Sequence, residues 1–392
     1  GDVYKRQVLN LWAIGQAHSG TDIDRRVEAL LSTLTLEQKV AQMIQGEIKH
    51  VTPEDVRVYG LGSVLNGGGS FPAQNKHASV QDWVDLADAY FLASVDTSAG
   101  SAGIPIIWGT DAVHGHNNVI GATIFPHNIA LGAIGDAGLT AAIAGATARE
   151  VSATGIDWIF APTLAVALDP RWGRTYESYG SSPALVQQFA GGVVEAMQAE
   201  GIVATAKHFI GDGGTHRGID QGDTRLSKDD LMTIHGQGYL SAIEAGVMTV
   251  MASFNSWNGD KIHGSSELLT RLLRDDLGFN GFVVSDWNGI GQVAGCEPDN
   301  CVQAINAGID MVMVPKAWRT LLHNMIEQVQ AGAITEARID EAVSRILKVK
   351  IQSGLMERGL PSKRAAAYAD AIGAEAHSCL LYTSPSPRDL LK

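Results

Sequence analysis

Short runs of consecutive apolar residues recur along the chain, separated by longer stretches in which apolar residues return every three or four positions. The short runs are typical of strands buried on both faces, and the longer stretches are typical of amphipathic helices. Strands are predicted at residues 61–65, 104–109, 158–162, 202–206, 247–252, 282–284 and 311–315. Helices are predicted at residues 139–151, 183–200, 228–244, 266–277 and 335–352.

The chain from residue 22 to residue 40 also has a helical pattern, which is interrupted at Thr35. Apolar side chains upstream of Thr35 recur at helical spacing. Thr35 is followed three positions later by Gln38, and this pair has the spacing of a capping box. The sequence therefore predicts that a second helix begins directly after Thr35.

Strands and helices alternate over more than 300 residues, which predicts a parallel sheet. Seven or eight such units predict a (β/α)8 barrel rather than an open sheet, with the helix at 335–352 closing it. We expect the barrel to span residues 8–355, and residues 356–377 to begin a linker with nothing folded after it. Residues 1–7 and 378–392 resemble translated adapter sequence and are not expected to belong to the fold.

Composition narrows the partners that the chain can have. Hydrophobic residues make up 45% of the chain, which allows a sizeable core. The 29 Lys and Arg residues are outnumbered by 42 Asp and Glu residues, and the net charge of −13 argues against nucleic acid as a partner. No apolar run reaches the roughly 18 residues that a membrane-spanning helix needs. Residues 8–14 read either as a signal-peptide remnant or as a random apolar start.

No metal ion or other cofactor is expected. Four residues separate Cys296 from Cys301, which predicts either a small disulfide loop, typical of an oxidising compartment, or two free thiols. The pair supplies too few ligands for a metal site. His114 and His116 on a loop favour structural hydrogen bonds over metal binding. The glycine run at 67–69 lacks the Gly-Lys-Ser/Thr of a phosphate-binding loop.

Ionisable residues follow several predicted strands. Asp111 follows the strand at 104–109, and Asp286 follows the strand at 282–284. Lys207 and His208 follow the strand at 202–206. An isolated Asp after a strand also fits a helix N-cap, and an isolated Lys-His pair fits a buried salt bridge. Because parallel barrel strands end at one mouth, however, these groups should meet there. A carboxylate facing cations and an aromatic ring favours chemistry on a sugar.

Four segments give a more specific indication, namely WGTDAVHGHNN (108–118), DPRWGRTYESY (169–179), KHFIGDGGT (207–215) and VSDW (284–287). Together they resemble glycoside hydrolase family 3, most closely its β-glucosidase and β-glucan exohydrolase branch. The motifs occur in the family's order and cover about residues 22–355. The resemblance implies the family's N-terminal barrel, with the family's C-terminal α/β sandwich domain missing. It also implies the substrate class, a β-glucoside or a β-glucan oligosaccharide.

The resemblance assigns roles to particular residues. Asp286 matches the family's catalytic nucleophile, and Asp111 matches the carboxylate that binds the hydroxyls of the terminal sugar. Other sugar-binding positions implied by the resemblance are Arg174, Lys207, His208, Trp287, Met251 and Gln221. On physical grounds, the cationic groups of Arg174 and Lys207 would favour the ionised form of Asp286.

The implied function is that of a retaining, exo-acting β-glucosidase or β-glucan glucohydrolase, which releases glucose from non-reducing ends through a covalent glycosyl-enzyme on Asp286. In two-domain members of this branch the acid/base Glu comes from the second domain, so we expect a truncated fragment with weak or no activity. Glu177 and Glu297 are the carboxylates considered in its place. Neither has a supporting motif.

Two alternatives remain. The first is a β-N-acetylhexosaminidase, whose single-domain members use a His in an Asp-Ser-His context; His216 lies on the corresponding loop in a different context. The second is a fragment that binds glucose without catalysis. Activity on aryl β-glucoside against aryl β-N-acetylglucosaminide would separate the enzymes. Polymeric glucan lies outside the cytoplasm, so we expect the parent protein to be periplasmic or secreted.

Overall fold

A computed structural model describes residues 22–383, and its centre is an eight-stranded parallel sheet surrounded by helices. The strands in chain order are β1 (Ile44–Glu47), β2 (Ser63–Asn66), β3 (Ile107–Thr110), β4 (Trp158–Ile159), β5 (Val203–Phe209), β6 (Asp223–Thr224), β7 (Thr249–Ala252), β8 (Ser256–Trp257), β9 (Asp260–Lys261), β10 (Phe282–Val284) and β11 (Val312–Met313). Strands β6, β8 and β9 form a separate three-stranded sheet.

The large sheet closes on itself. Its strand order is β10-β7-β5-β4-β3-β2-β1-β11, and each neighbouring pair is parallel. A further parallel bridge between Val284 and Met311 brings β10 beside the chain that enters β11. The predicted eight-stranded α/β barrel is therefore confirmed.

Helices cover the outside of the barrel. In chain order they are α1 (residues 22–31), α2 (Leu36–Gln42), α3 (Pro53–Tyr59), α4 (Val80–Val95), α5 (Asn128–Ile134), α6 (Ala137–Ser152), α7 (Pro183–Ala199), α8 (Lys228–Leu231), α9 (Gln237–Glu244), α10 (Val302–Ala307), α11 (Trp318–Gln330), α12 (Glu336–Gln352), α13 (Pro361–Ala365) and α14 (Glu375–Thr383). None of the helices within residues 22–383 has the length and apolar character required to cross a membrane.

Strand β1 was not predicted from the sequence, and the predicted first strand corresponds to β2. The four residues of β1 include Gln45 and Glu47, which break the apolar run. Both side chains are nevertheless buried, and Gln45 Nε2 donates to Ser63 Oγ of β2 at 2.8 Å. The apolar pattern does not reveal this strand because two of its four buried residues are polar, with hydrogen bonds at Gln45 Nε2 and at the Glu47 carboxylate.

Helical boundaries agree with the sequence at some points and differ at others. The predicted capping box is present, since Thr35 Oγ1 accepts from Gln38 N and Gln38 Oε1 accepts from Thr35 N. The predicted helix at 228–244 contains a π-helical turn, Met232–Gly236, between α8 and α9. The predicted helix at 266–277 is π-helical over Glu267–Asp276. The apolar pattern predicts that these segments are helical but does not distinguish i→i−4 from i→i−5 bonding.

Aromatic side chains pack the barrel interior. Trp158 contacts Phe160 and Phe282 edge-to-face, with ring centroids 4.9 and 5.2 Å away. The indole Nε1 donates to Thr205 Oγ1 at 2.6 Å, so its one polar atom is satisfied. Gly109 on β3 has no room for a Cβ, because the ring of Phe160 occupies that space.

The structure differs from the predicted linker. Residues after 355 form α13, which packs against α4, and α14, which packs against α6. Arg364 makes a salt bridge of 2.8 Å with the buried Asp157, and His377 Nδ1 lies 2.8 Å from the buried Glu150. This segment therefore belongs to the folded body. Residues 1–7 and 8–14, and the last part of the adapter-like tail, 384–392, lie outside the described residues.

Candidate active site

The carboxyl ends of β3, β5 and β10 bring four of the predicted site residues to one mouth of the barrel. Asp111 directly follows β3, and Asp286 lies two residues after β10. Lys207 and His208 lie near the end of β5, joined by a cis peptide bond. Lys207 Nζ is 2.7 Å from Asp111 Oδ1, and His208 Nε2 is 3.6 Å from Asp286 Oδ2. The four side chains therefore meet, as parallel barrel topology predicts.

Asp286 is buried in a turn that fixes its orientation. Its Oδ1 atom accepts from the backbone N–H of Trp287 at 2.6 Å. Its carbonyl oxygen accepts from Gly289 N at 2.9 Å and from the Ser285 hydroxyl at 3.1 Å. Oδ2 is buried and has no hydrogen-bond partner within residues 22–383. That oxygen is therefore an unpaired acceptor, 3.6 Å from His208 Nε2.

Burial raises the pKa of Asp286 to about 6, because a carboxylate is poorly solvated there. The charges of Arg174 and Lys207 and the hydrogen bond from Trp287 lower this pKa, but burial outweighs them. The sequence predicts that these cations favour the ionised form of Asp286. Their effect has the expected sign and is too small to decide the outcome. Asp286 is still mostly ionised at pH 7.

His208 is a neutral hydrogen-bonding group rather than a cation. Burial, together with the charges of Arg174 and Lys207, holds its pKa well below the usual value. Arg174 Nη2 lies 3.0 Å from His208 Nε2, and a guanidinium can only donate, so Nε2 is the acceptor. The ring proton is then on Nδ1 and is donated to Asp212 Oδ2 at 2.8 Å. The expected pair of cations at 207–208 is therefore one lysine beside a neutral imidazole.

Arg174 and Glu177 form a two-point ion pair at the mouth. Arg174 Nε and Nη2 donate to the two carboxylate oxygens of Glu177 at 2.8 and 3.0 Å. Burial alone would raise the pKa of Glu177, but the hydrogen bonds and charge of Arg174 outweigh it and lower that pKa to about 2. Glu177 therefore stays ionised at all ordinary pH values.

Asp111 and Lys207 differ in exposure although they form one salt bridge. The Asp111 side chain is 52% exposed, whereas that of Lys207 is 4% exposed. Asn118 Nδ2 donates to the backbone oxygen of Asp111 at 3.0 Å and fixes the turn after β3. The pair thus exposes the Asp111 carboxylate at the mouth, where it is paired with the buried ammonium group of Lys207. Such a pair can bind neighbouring hydroxyl groups through charge-assisted hydrogen bonds.

Trp287 and Met251 are placed differently around this centre. Trp287 is 41% exposed, and its indole lies against Gly67, where an added Cβ would stand 2.6 Å from the ring. The glycine run after β2 therefore makes room for an aromatic wall. Met251 is buried on β7, in register with Val284 of β10, and its side chain is part of the hydrophobic core.

Gln221 lies on the exposed loop before β6, with a left-handed backbone at φ 57°. Its side chain accepts from Gln292 Nε2 at 2.8 Å, and its backbone oxygen accepts from Lys261 Nζ at 3.2 Å. None of the hydrogen bonds within residues 22–383 joins Gln221 directly to Asp286 or Lys207. The structure therefore places Gln221 in a separate polar group near the rim.

Three residues beside the site were not singled out from the sequence as part of it. Asp212 lies within the segment KHFIGDGGT and orients His208. Burial raises the pKa of Asp212 to about 6. Glu177 was considered only as an acid, yet it is the partner of Arg174. His263 contacts the backbone of Asp286 and lies in the segment Ile-His-Gly, which has no sequence signal.

Cys296 and Cys301 form a disulfide in the structure, which settles the two open alternatives for these thiols. The loop that they close follows the turn containing Asp286. Glu297 lies inside this loop and is exposed. Within residues 22–383, no group of three or more His, Cys, Asp or Glu side chains could hold a metal ion.

Comparisons with known proteins match most of this chain to one family. The profile described as the glycosyl hydrolase family 3 N terminal domain matches residues 35–349. A lysosomal beta glucosidase of Dictyostelium discoideum is 31% identical over 382 residues, covering 89% of this chain and 46% of the relative. A periplasmic beta-glucosidase of Salmonella typhimurium is 30% identical, covering 64% of this chain and 33% of the relative.

Among solved structures, the exo-1,3/1,4-beta-glucanase ExoP from a Pseudoalteromonas species superposes with a TM-score of 0.91 at 50% identity. The match covers 93% of this chain and 46% of that enzyme. The chain therefore spans less than half the length of each of these three relatives. The chain thus has the parallel α/β barrel fold of the solved ExoP structure. The chain belongs to glycosyl hydrolase family 3, in the region of that family's N-terminal domain.

Proposed function

We propose that this chain is the barrel of a retaining, exo-acting β-glucosidase or β-glucan glucohydrolase. The observation that carries the proposal is the state of Asp286, whose Oδ2 lies buried at the mouth without a hydrogen-bond partner within residues 22–383. A retaining glycosidase needs such a carboxylate to attack the anomeric carbon and form a covalent glycosyl-enzyme. Its three named relatives are glucosidases or a glucanase, which supports glucose as the sugar.

The surrounding groups would bind the terminal glucose. Asp111 and Lys207 offer a charge-assisted pair for neighbouring hydroxyls, and Arg174 lies beside His208 on the same side of the mouth. Trp287 offers a half-exposed apolar face for the C–H groups of a sugar ring. In this proposal the ion pairs determine which sugar stereoisomers bind, and the indole of Trp287 contributes apolar contact.

The general acid lies outside residues 22–383 in this proposal. Glu177 has a pKa of about 2 because of Arg174 and cannot hold a proton to donate. Asp212 is buried and hydrogen-bonded to His208, so it cannot reach a leaving group. Glu297 is exposed in the disulfide loop, outside the ion pairs of the mouth. In a retaining enzyme the carboxyl group of the acid lies about 5–5.5 Å from that of the nucleophile.

The proposed function predicts a particular pattern of reactivity for this chain. General acid help is worth about 10²–10⁴-fold, so cellobiose and laminaribiose should be cleaved negligibly. A dinitrophenyl 2-deoxy-2-fluoro-glucoside has a leaving group that needs little protonation and should slowly label the protein. Peptide mapping after incubation should find the hexosyl adduct on Asp286, and Asp286→Asn should abolish it.

Other outcomes would change the assignment. An adduct on a different carboxylate would overturn the role of Asp286. Brisk turnover of cellobiose would show that an acid is present within the chain. Faster reaction with the matching N-acetylglucosaminide would favour a hexosaminidase. Glucose binding without any adduct would indicate that the chain binds sugar but does not catalyse the reaction.

We further propose that the parent protein works in the periplasm or outside the cell. The disulfide between Cys296 and Cys301 supports an oxidising compartment, and the Salmonella relative is described as periplasmic. Mass spectrometry of the protein from its native host should find the two cysteines bonded. Two free thiols on an unprocessed chain would argue for the cytoplasm.

A further inference from the structure

The turn that carries Asp286 is held from outside by a histidine from another part of the chain. The backbone N–H of Asp286 donates to Nε2 of His263 at 3.0 Å. His263 lies in a short 3₁₀ turn, Ile262–Gly264, directly after strand β9. The contact joins segments 23 residues apart and is completely buried.

His263 is suited to act as a permanent acceptor. Burial, with a smaller effect of the Lys261 charge, lowers the pKa of His263 to about 3, so the ring is neutral at all working pH values. Because Nε2 accepts from Asp286, the ring proton must be on Nδ1. A neutral ring with this tautomer offers one lone pair, and that lone pair points at the backbone of Asp286.

The segment that carries His263, which consists of β9 and the 3₁₀ turn after it, contacts the turn of Asp286 at a second point. Lys261 Nζ donates to Gln292 Oε1 at 2.9 Å and to the backbone oxygen of Phe254 at 2.7 Å. Gln292 ends the 3₁₀ turn that follows Asp286, Gly289–Gln292. Gly289 itself has no room for a side chain, because its Cβ would overlap the imidazole of His263. The segment made of β9 and the following 3₁₀ turn therefore packs tightly against the turn that carries Asp286.

We propose that His263 is a positioning residue for the nucleophile. It would act through the backbone of Asp286 and would not touch the sugar. With the backbone N–H held by His263 and Oδ1 held by the N–H of Trp287, rotation of the carboxylate is restricted, and Oδ2 keeps its position 3.6 Å from His208 Nε2. The inference rests on the proposed role of Asp286 as nucleophile.

Two variants separate positioning from simple packing. His263→Leu keeps the apolar volume but leaves the Asp286 N–H without an acceptor. His263→Gln can place its amide oxygen near the position of Nε2 and should restore the bond. The control is His116→Leu, which removes another fully buried histidine, one bonded to Thr154 instead.

The first measurement is the rate of adduct formation with the dinitrophenyl fluoro-glucoside, beside the affinity for glucose. Misplacement of a reacting group should slow His263→Leu by about 10- to 100-fold. Glucose affinity should change by less than about twofold, because the lost interaction does not touch bound sugar. His263→Gln should retain a rate within about threefold of the parent, and His116→Leu should leave the rate unchanged.

The second measurement does not depend on catalysis. Hydrogen–deuterium exchange of a peptide spanning residues 285–292 should be faster in His263→Leu than in the parent, and near the parent rate in His263→Gln. Unchanged protection in the leucine variant would overturn the inference whether or not the parent forms an adduct. So would equal loss of rate and of glucose affinity in both variants. Failure of the parent to label Asp286, with the exchange pattern as expected, would instead overturn only the proposed chemistry.

Discussion

At the scale of single residues, Asp286 carries its charge at a position where burial disfavours the ionised form. Burial raises its pKa to about 6 in spite of two nearby cations. The unfolded chain holds the same carboxyl near its ordinary pKa of 3.8. The folded state therefore binds the proton more tightly, and this group lowers stability progressively as the pH rises from about 4 to about 6.

Asp286→Asn should accordingly stabilise the fold at high pH. We expect the free energy of unfolding at pH 8 to rise by about 1–3 kcal/mol, because the amide carries no charge to desolvate. The gain should shrink by about two thirds at pH 4.5, where the native carboxyl is protonated. Urea denaturation at the two pH values measures this. Asp275→Asn, at an exposed position, is the control, and a gain independent of pH would contradict the argument.

Asp111 makes a second prediction at this scale. Asp111→Asn keeps the size of the side chain but replaces a charged acceptor for sugar hydroxyls by a neutral one. Glucose binding should weaken by about 1–1.5 kcal/mol, the difference between a hydrogen bond to a charged group and one to a neutral group. Calorimetric titration with glucose would measure it, again with Asp275→Asn as control. Unchanged affinity would remove Asp111 from the site.

At the scale of elements, the segment after the barrel is anchored by a buried ion pair. Arg364 of α13 contacts Asp157, and its guanidinium also donates to the backbone oxygens of Gly155 and Ile156. Arg364→Ala would leave Asp157 buried without its partner and should lower the free energy of unfolding by about 3–5 kcal/mol. Lys363→Ala, the exposed neighbour, should have no measurable effect in the same denaturation experiment. Equal effects would mean that α13 is not docked.

The same scale shows what an apolar pattern can and cannot predict. Seven of the eight barrel strands are visible because both of their faces are buried in apolar surroundings. Strand β1 is hidden because Gln45 and Glu47 are buried with hydrogen-bond partners, and polarity normally indicates a surface. The docking of α13 is hidden for a similar reason, since it depends on Arg364 meeting a carboxylate distant in sequence.

At the scale of the whole molecule, the net charge of −13 should make the binding of a charged ligand depend on salt concentration. Salt dependence can therefore test the class of ligand. Glucose is neutral, and Lys207 and Asp286 at the mouth are buried, so salt should screen these charges little. We expect the affinity for glucose to stay within about twofold between 50 and 500 mM salt. Calorimetry at the two concentrations would show it. A steep salt dependence would indicate a charged ligand instead.

Strand ends could be predicted to meet at the mouth, whereas contacts between individual side chains could not, even for Glu177 and Asp212, which lie within the family motifs. Asp111, Lys207 and Asp286 follow recognisable strands, and barrel topology brings such strand ends together. The sign of the pKa shift at Asp286 could not be predicted, because it depends on how completely the folded chain excludes water. His263 could not be predicted either, since its role is set by the three-dimensional position of one ring nitrogen.

Gly67 has a consequence for sorting related sequences. The aromatic wall of the mouth stands on one loop, but the space that it needs is left by a residue with no side chain on another. Adding a single methyl group there would force the indole of Trp287 to tilt. A sequence that carries Trp at 287 with a larger residue at 67 must therefore have rebuilt this side of the mouth. The pair of positions, read together, is a simple marker for grouping related sequences by the shape of the barrel mouth.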